Sequence, residues 1–574
     1  MTRNRSLALV AALAVVLATA PPSQAAPRED ADHYEFYFNS ADGITQLHAD
    51  VLRPKGMPMD DSVKTPVILT VSPYTNHNGS TIDTDINGTG PNPRFYDFLD
   101  LSGALSKGYT YVMVDLPGDG GSSGCNDWGG NREQLGVRAA VEWAASQPWS
   151  NGKVALLGKS YDGWTGLMGI AQQPKGLAAV VSLEPVYEGY RYMYMNGVRR
   201  GGSWAATMAL FQAIDAKPGR PSDSPQYHVN SAPQVWCYPV NLAGNYADDN
   251  PHGPYWEERN LIPTAIGKTT PLFLTQGFLE RNTRPDGAFQ YFNNLAGTEN
   301  RAWFGQFDHC RGWETGQACG NAGGGGGARM AFGRADFMDQ VMRFLDEHLK
   351  GIEPSVEDPP VEVQDILGRY RGEEAWPPPD SHLWETELNT GTYTDNGSGN
   401  GLRPTEGQGI WTVSQPLPHD VWLAGEPVIT AGVEAVPNAN FAANVYDISP
   451  DGRVRMISRG VSVIRGSGRR TVSYTMYGQD WPIAAGHRIG VLVSPADNDE
   501  FLHAATRTPV TVLSAKIGLP FLTYERTEFL DASTPRLEQY MSASQTTLSA
   551  GKIASSERTF NLPPPLASRE QQAA

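Results

Sequence analysis

Cysteine is scarce. Four in 574 residues cannot staple a small disulfide scaffold, and none stands in a C-x-x-C pair, so the chain offers no zinc-ribbon spacing and no metal site by motif. Basic residues are outnumbered, 45 Lys and Arg against 62 Asp and Glu, and the formal charge of −17 repels a phosphate backbone, which excludes nucleic acid as the expected partner. Long apolar runs are missing too, with one exception. Leu7 to Ala20 is unbroken but shorter than the ~20 residues a membrane-spanning helix needs. It follows Arg3 and Arg5 and precedes the small-x-small triplet Ser23-Gln24-Ala25. This pattern predicts a signal peptide over 1–25 and a secreted chain with no membrane partner after cleavage. No internal repeat occurs, and the one low-complexity run is Gly323 to Gly327.

Export makes an even set of thiols read as paired. Cys310 and Cys319 are close in sequence with Gly312 and Gly316 between them, which favours Cys310–Cys319 and leaves Cys125 for Cys237.

The length supports two to four domains. From Tyr34 to about Gly351, short apolar runs (Val67–Val71, Tyr109–Asp115, Val154–Leu157, Leu177–Ser182, Pro271–Thr275, Ala302–Phe304) alternate with amphipathic stretches at Glu133–Ser146, Trp164–Gln172 and Arg329–Lys350. Such a pattern predicts an α/β domain with a mainly parallel sheet covered on both faces. The Tyr-, Trp- and Gly-rich stretch of about 184–266, with a helical patch at Trp204–Ala213, breaks the rhythm and reads as a cap inserted over the carboxyl edge of the sheet. After a proline-punctuated linker, hairpin signals such as Asn444–Ile448, Ser449–Gly452 and Val454–Ile457, and a strand at His487–Val493, predict an all-β domain. The expected division is 26–364 catalytic, 365–554 all-β and 555–574 a disordered tail.

Gly158-Lys-Ser160-Tyr-Asp-Gly163 sits between a buried-strand pattern and a helical one. A serine on a sharp strand-to-helix turn needs small neighbours because the backbone passes close to other elements. Gly158 meets that need, whereas the generic G-x-S-x-G pattern asks for glycine at 162, where Asp stands. A serine hydroxyl needs an imidazole to take its proton and a carboxylate to orient that imidazole, in the order Ser, acid, His, each after a strand. His309 follows a strand. His348 lies within the Arg329–Lys350 helix and reads as a surface residue, so His309 is the expected base. Glu280 comes soon after Pro271–Thr275 and is the expected acid, with Asp286 in reserve; the competing role for Glu280 is an ion pair with Arg281 or Arg284.

These residues resemble the Xaa-Pro dipeptidyl-peptidase and cocaine-esterase family of serine hydrolases, which includes α-amino-acid ester hydrolases. The family's G-x-S-Y-x-G matches Gly158, Ser160, Tyr161 and Gly163, and its acid loop, roughly G-x-x-D-x-N, matches Gly277 to Asn282 with Glu280 in place of Asp. Further matches are Ser72-Pro-Tyr74-Thr, Asp115 with Gly118 to Gly124, Phe344 to Gly351, Tyr446 to Gly452 and Ala485 to Arg488. The resemblance implies an α/β-hydrolase fold with a jelly-roll carboxyl-terminal domain. It also implies an oxyanion hole made by the Tyr74 hydroxyl and the Tyr161 N–H, and acyl-enzyme chemistry that needs no cofactor.

An exopeptidase releasing Xaa-Pro dipeptides must bind a free α-ammonium near the acyl pocket. Glu184 and Glu188 follow a strand among four tyrosines, and Glu188 is the candidate amine anchor; a pair with Arg191 is its structural alternative. Trp204 and Trp236 are candidates for a proline-sized aromatic pocket or for cap packing. The expected activity is Xaa-Pro dipeptidyl-peptidase. An ester or β-lactam acyl hydrolase of the same mechanism is second, and a carbohydrate-binding jelly-roll protein with an inactive hydrolase domain is a distant third, disfavoured because every triad and oxyanion position is chemically competent. The sequence is silent on oligomeric state.

Overall fold

A computed structural model describes residues 28–79, 91–201, 211, 218–232, 234–313, 332–532, 537, 540–541 and 546–568. Its backbone is a mixed sheet in which β1 (Ala31–Asn39), β2 (Gln46–Pro54), β3 (Thr65–Ser72), β4 (Thr110–Asp115), β5 (Ser150–Lys159) and β6 (Leu177–Leu183) take the order β1-β2-β4-β3-β5-β6. The strands Leu272–Gly277, Arg301–Gly305, Val361–Gln364 and Arg369–Glu373 continue it. β3 to β6 and the next three strands run parallel, while β1, β2 and the strand at 369–373 are antiparallel additions.

Both faces of this sheet are covered, which is why its strands read as continuous apolar runs. The first helix, α1 (Tyr96–Ser102), is short. Val67, Leu69 and Val71 of β3, with Val154 and Leu156 of β5, face α2 (Asn131–Ser146) and α3 (Tyr161–Gln172) through Val137, Val141, Leu167 and Ile170. Ile68, Ala155 and Leu157 point the opposite way, onto Val341, Phe344 and Leu345 of the helix Phe337–Lys350. That helix starts later than the expected Arg329. Residues 332–336 are a turn, with Gly333 at φ 77°, and 329–331 lie outside the described residues. It ends at Gly351, whose left-handed φ of 70° lets its N–H cap the last turn. His348 on this helix is a correction to a surface role. Its side chain is only 7% exposed and packs edge-on against Phe344, and burial lowers its pKa.

The inserted stretch holds α4 (Gly189–Met193), a small hairpin of β7 (Tyr194–Met195) and β8 (Val198–Arg200), and short helices at Pro225–Asn230, Tyr238–Ala247 and Pro254–Glu257. Trp204–Ala213 lies outside the described residues apart from Phe211. A Cys125–Cys237 disulfide joins the loop after β4 to this insertion, as expected. Cys310 is also disulfide-bonded, but Cys319, its expected partner, lies outside the described residues.

The carboxyl-terminal region is an antiparallel sandwich, the jelly-roll architecture expected. One sheet is built around Pro509–Leu522, flanked by Val428–Ala435 and Ser381–Glu387. The other pairs Asn440–Ile448 with Arg453–Val463, the expected hairpin, and with Arg488–Ser494. Their facing residues Ile429, Val433, Phe441, Val445, Val491 and Phe521 share one core. Two boundaries differ from expectation. The hydrolase sheet runs past residue 364, because the strand at 369–373 pairs with that at 361–364. The segment 555–568, expected to be disordered, is held: Phe560 is buried, its N–H donates to Gln415 Oε1, and Ala567 bridges Tyr524.

Candidate active site

β5, β6 and the strands ending at Gly277 and Gly305 are consecutive in the sheet, so their carboxyl ends bring Ser160, the Glu280 loop and His309 to one edge. Ser160 stands at φ 66°, ψ −120° between β5 and α3, a conformation a non-glycine residue adopts only when its surroundings enforce it. Its N–H donates to Leu183 O at 2.9 Å. A Cβ on Gly158 would lie 2.4 Å from Asp162 backbone atoms, and one on Gly163 2.9 Å from Leu183 O, so both glycines are demanded by packing.

Asp162 stands where the generic pattern has glycine because it has other work. Buried, it takes the Nε–H of Arg94 at 2.5 Å, and Arg94 in turn lies 4.4 Å from the centre of the Tyr74 ring. Burial raises the Asp162 pKa against the pull of Arg94. Tyr74 meets Tyr161 edge-on with 6.3 Å between ring centres, and its main-chain carbonyl accepts from Asn92 Nδ2. Burial pushes the Tyr74 hydroxyl pKa far up, so the group stays protonated and able to donate. The Tyr161 amide is in the first turn of α3, where backbone N–H groups lack intrahelical partners, and its hydroxyl donates to the buried Glu133 at 2.8 Å.

His309 Nδ1 lies 2.6 Å from Glu280 Oε2, and Glu280 Oε1 accepts the Asn282 N–H. Glu280 does not pair with Arg281 or Arg284. Arg284 instead makes a short contact with Glu500 of the carboxyl-terminal domain, and Arg281 Nε lies 3.5 Å from the same carboxylate. Asp286, the reserve acid, pairs with Arg191 at 3.0 Å, away from His309. Beneath the acid loop lies Glu184, fully buried, accepting from Thr275, Gln276 and the Gly277 N–H. Burial and the nearby Glu280 push its pKa well up.

Glu188 is held in a pair and borders a cavity of its own. Arg191 Nε occupies its carboxylate at 2.7 Å, and the ~930 Å³ cavity it borders is lined by Asp286, Glu426 and Arg470 but by none of Ser160, His309, Tyr74 and Tyr161. Trp236 is exposed under Arg132, and Trp204 lies outside the described residues. The aromatics gathered around Tyr161 are others: the ring centres of Phe211 and Trp164 are 4.9 Å and 5.3 Å from its own, with Trp128 and Tyr192 beyond. Arg94 and Glu500 were missed because their partners are 68 and 216 residues away, and Glu184, noted only as a carboxylate after a strand, meets Gly277 93 residues on. Asp162 alone left a signal, as the misplaced glycine.

Residues 42–311 match the X-Pro dipeptidyl-peptidase (S15) family. A Streptomyces avermitilis protein named for Xaa-Pro dipeptidyl-peptidase activity is 25% identical over 78% of this chain and 70% of its own length. A Mycobacterium bovis protein named for serine esterase activity is 22% identical over 69% of this chain and 80% of its own. The structure of a CocE/NonD family hydrolase from Staphylococcus aureus superposes with a TM-score of 0.65 at 15% identity, covering 85% of this chain and 93% of that one.

Proposed function

We propose that this chain, a hydrolase whose residues 42–311 belong to the X-Pro dipeptidyl-peptidase (S15) family, is a secreted enzyme that releases Xaa-Pro dipeptides from peptide amino termini through a Ser160–His309–Glu280 triad. The observation that carries the triad is the 2.6 Å contact between His309 Nδ1 and Glu280, on the sheet edge where Ser160 holds its left-handed turn.

In this reading Ser160 Oγ attacks the carbonyl carbon of proline while His309 Nε2 takes its proton, and Glu280 fixes the tautomer and stabilises the imidazolium. The tetrahedral oxyanion is held by the Tyr74 hydroxyl and the Tyr161 N–H. His309 then returns the proton to the departing amine. A water deprotonated by His309 hydrolyses the acyl-enzyme, freeing the dipeptide and Ser160. Export is supported by the 1–25 pattern and by the Cys125–Cys237 disulfide. Glu188 is not carried into the reading, because Arg191 holds it.

A second reading, carboxylesterase, uses the same steps with an alcohol leaving group and is favoured by the esterase-named relative. The two are separated by the mature protein and Ser160→Ala assayed on an Ala-Pro anilide, its N-acetylated form and a p-nitrophenyl ester. Cleavage of the free-amine anilide alone, lost in the variant, supports the peptidase; ester turnover without anilide cleavage overturns it.

A further inference from the structure

Far from Ser160 in sequence, three buried side chains converge on one small space: His48 and Asp50, two residues apart on one face of β2, and His77 from the loop after β3. One ligand atom from each lies within 4.8 Å of the others. His77 Nε2 is 3.0 Å from Asp50 Oδ2, and His48 Nε2 is 4.0 Å from Asp50 Oδ1. A tetrahedral ion with bonds of ~2.0–2.1 Å has edges of about 3.3 Å, so these spacings bracket what such an ion draws together. Glu35, opposite Asp50 on β1, borders the same space, with Oε1 3.9 Å from His48 Nε2. His33 Nε2 contacts Asp50 Oδ1 at 2.6 Å.

The outer atoms are organised around the same centre. His48 Nδ1 is bonded to Asp115 at 2.8 Å and His77 Nδ1 to Asp223 at 2.9 Å, which aims both Nε2 atoms inward. Carboxylates on the far nitrogen are the usual supports of metal-bound histidines. Although His48 is buried, its Nε2 has no hydrogen-bond partner among the described residues. The walls are closed: a Cβ on Gly121 would sit 2.5 Å from the Tyr227 ring and 2.7 Å from His48 Cγ, and one on Gly120 2.2 Å from the Asp115 carboxylate. This gives a physical reason for glycines within the Gly118–Gly124 stretch.

We propose that His48 Nε2, His77 Nε2 and Asp50 bind a first-row divalent metal ion of the zinc type, with Glu35 or water completing the shell. Two imidazoles with a carboxylate suit zinc, cobalt or nickel rather than calcium or magnesium. The surrounding carboxylates favour positive charge here. The ion ties β2 to the loop that carries Tyr74, three residues before His77, and to the 223–227 segment of the insertion. Its role is to hold structure, and the site stands whatever the substrate is.

The test is metal content and affinity of the full mature chain after chelation and re-addition of Zn²⁺, Co²⁺, Mn²⁺ or Ca²⁺, read by mass spectrometry and, for Co²⁺, by visible absorption. About one Zn²⁺ or Co²⁺ per chain is expected. His77→Gln should abolish it, Asp223→Asn should weaken it ~10–100-fold without removing a ligand, and exposed His228→Ala should leave it unchanged. No uptake by the wild-type chain, a preference for Ca²⁺, or equal loss in His228→Ala overturns the proposal. If His77→Gln does not fold, the Asp223→Asn comparison decides, and unaltered affinity there overturns it.

Discussion

The Tyr74 hydroxyl is proposed to meet a negative charge that exists only at the tetrahedral stage, so its loss should leave substrate binding almost untouched. Tyr74→Phe is expected to lower kcat ~10²–10³-fold with little change in KM, measured on the Ala-Pro anilide. Glu280→Gln keeps the shape but favours the wrong imidazole tautomer, and a fall of ~10⁴ in kcat is expected. Glu426 gives a pH prediction away from the triad. Burial, reinforced by Asp286 and opposed by Arg191, pushes its pKa up to about 7 from an ordinary 4.5. A raised carboxyl lends stability while it is protonated, so that contribution is full below about pH 4.5 and is lost as pH rises through about 7. Glu426→Gln should flatten this decline in chemical unfolding curves taken from pH 4 to 8. That Ser160, Glu280 and His309 each follow a buried strand was legible from the apolar runs before them, and those strands are neighbours in the sheet. For Glu188 the pair with Arg191, weighed from the sequence as the alternative to amine binding, is the contact that the fold makes. His48 and His77 left no sequence signal at all, since they meet only through the order β2-β4-β3.

Among the elements, the acid loop is held from outside its own domain. Glu500 faces Arg284, Arg281, Arg459 and Arg200, and despite burial, Arg284 and then Arg459 lower its pKa. Next to it, Phe501–Leu502 adds a strand to β8 of the insertion. Glu500→Gln would leave buried guanidinium groups uncompensated. A loss of about 3–5 kcal/mol in unfolding free energy is expected, with a fall in kcat that Glu500→Asp partly rescues. The strands of the parallel sheet were legible because burial on both faces leaves only apolar residues in them. The helix start at Phe337 was not, since Phe332 fits the apolar stripe and only the turn at Gly333 excludes it. The ordered 555–568 segment was hidden by its polarity, for buried Phe560 and Pro563 and several main-chain contacts secure it.

For the whole molecule, the Cys125–Cys237 bond closes a loop with a separation of 112 residues and fastens the insertion to the sheet's edge. In the chain-entropy account such a closure is worth up to ~4–5 kcal/mol. The Cys125→Ser/Cys237→Ser double variant should therefore unfold at lower denaturant, and limited proteolysis should nick 218–260 before the sheet. The grip of Glu500 on the acid loop reaches further still. A fragment ending after the helix at Lys350 would keep Ser160, Glu280 and His309 yet lose the carboxylate opposite Arg284. A recombinant in which the sandwich is exchanged is therefore expected to keep this loop in place only where the incoming domain supplies a carboxylate opposite Arg284.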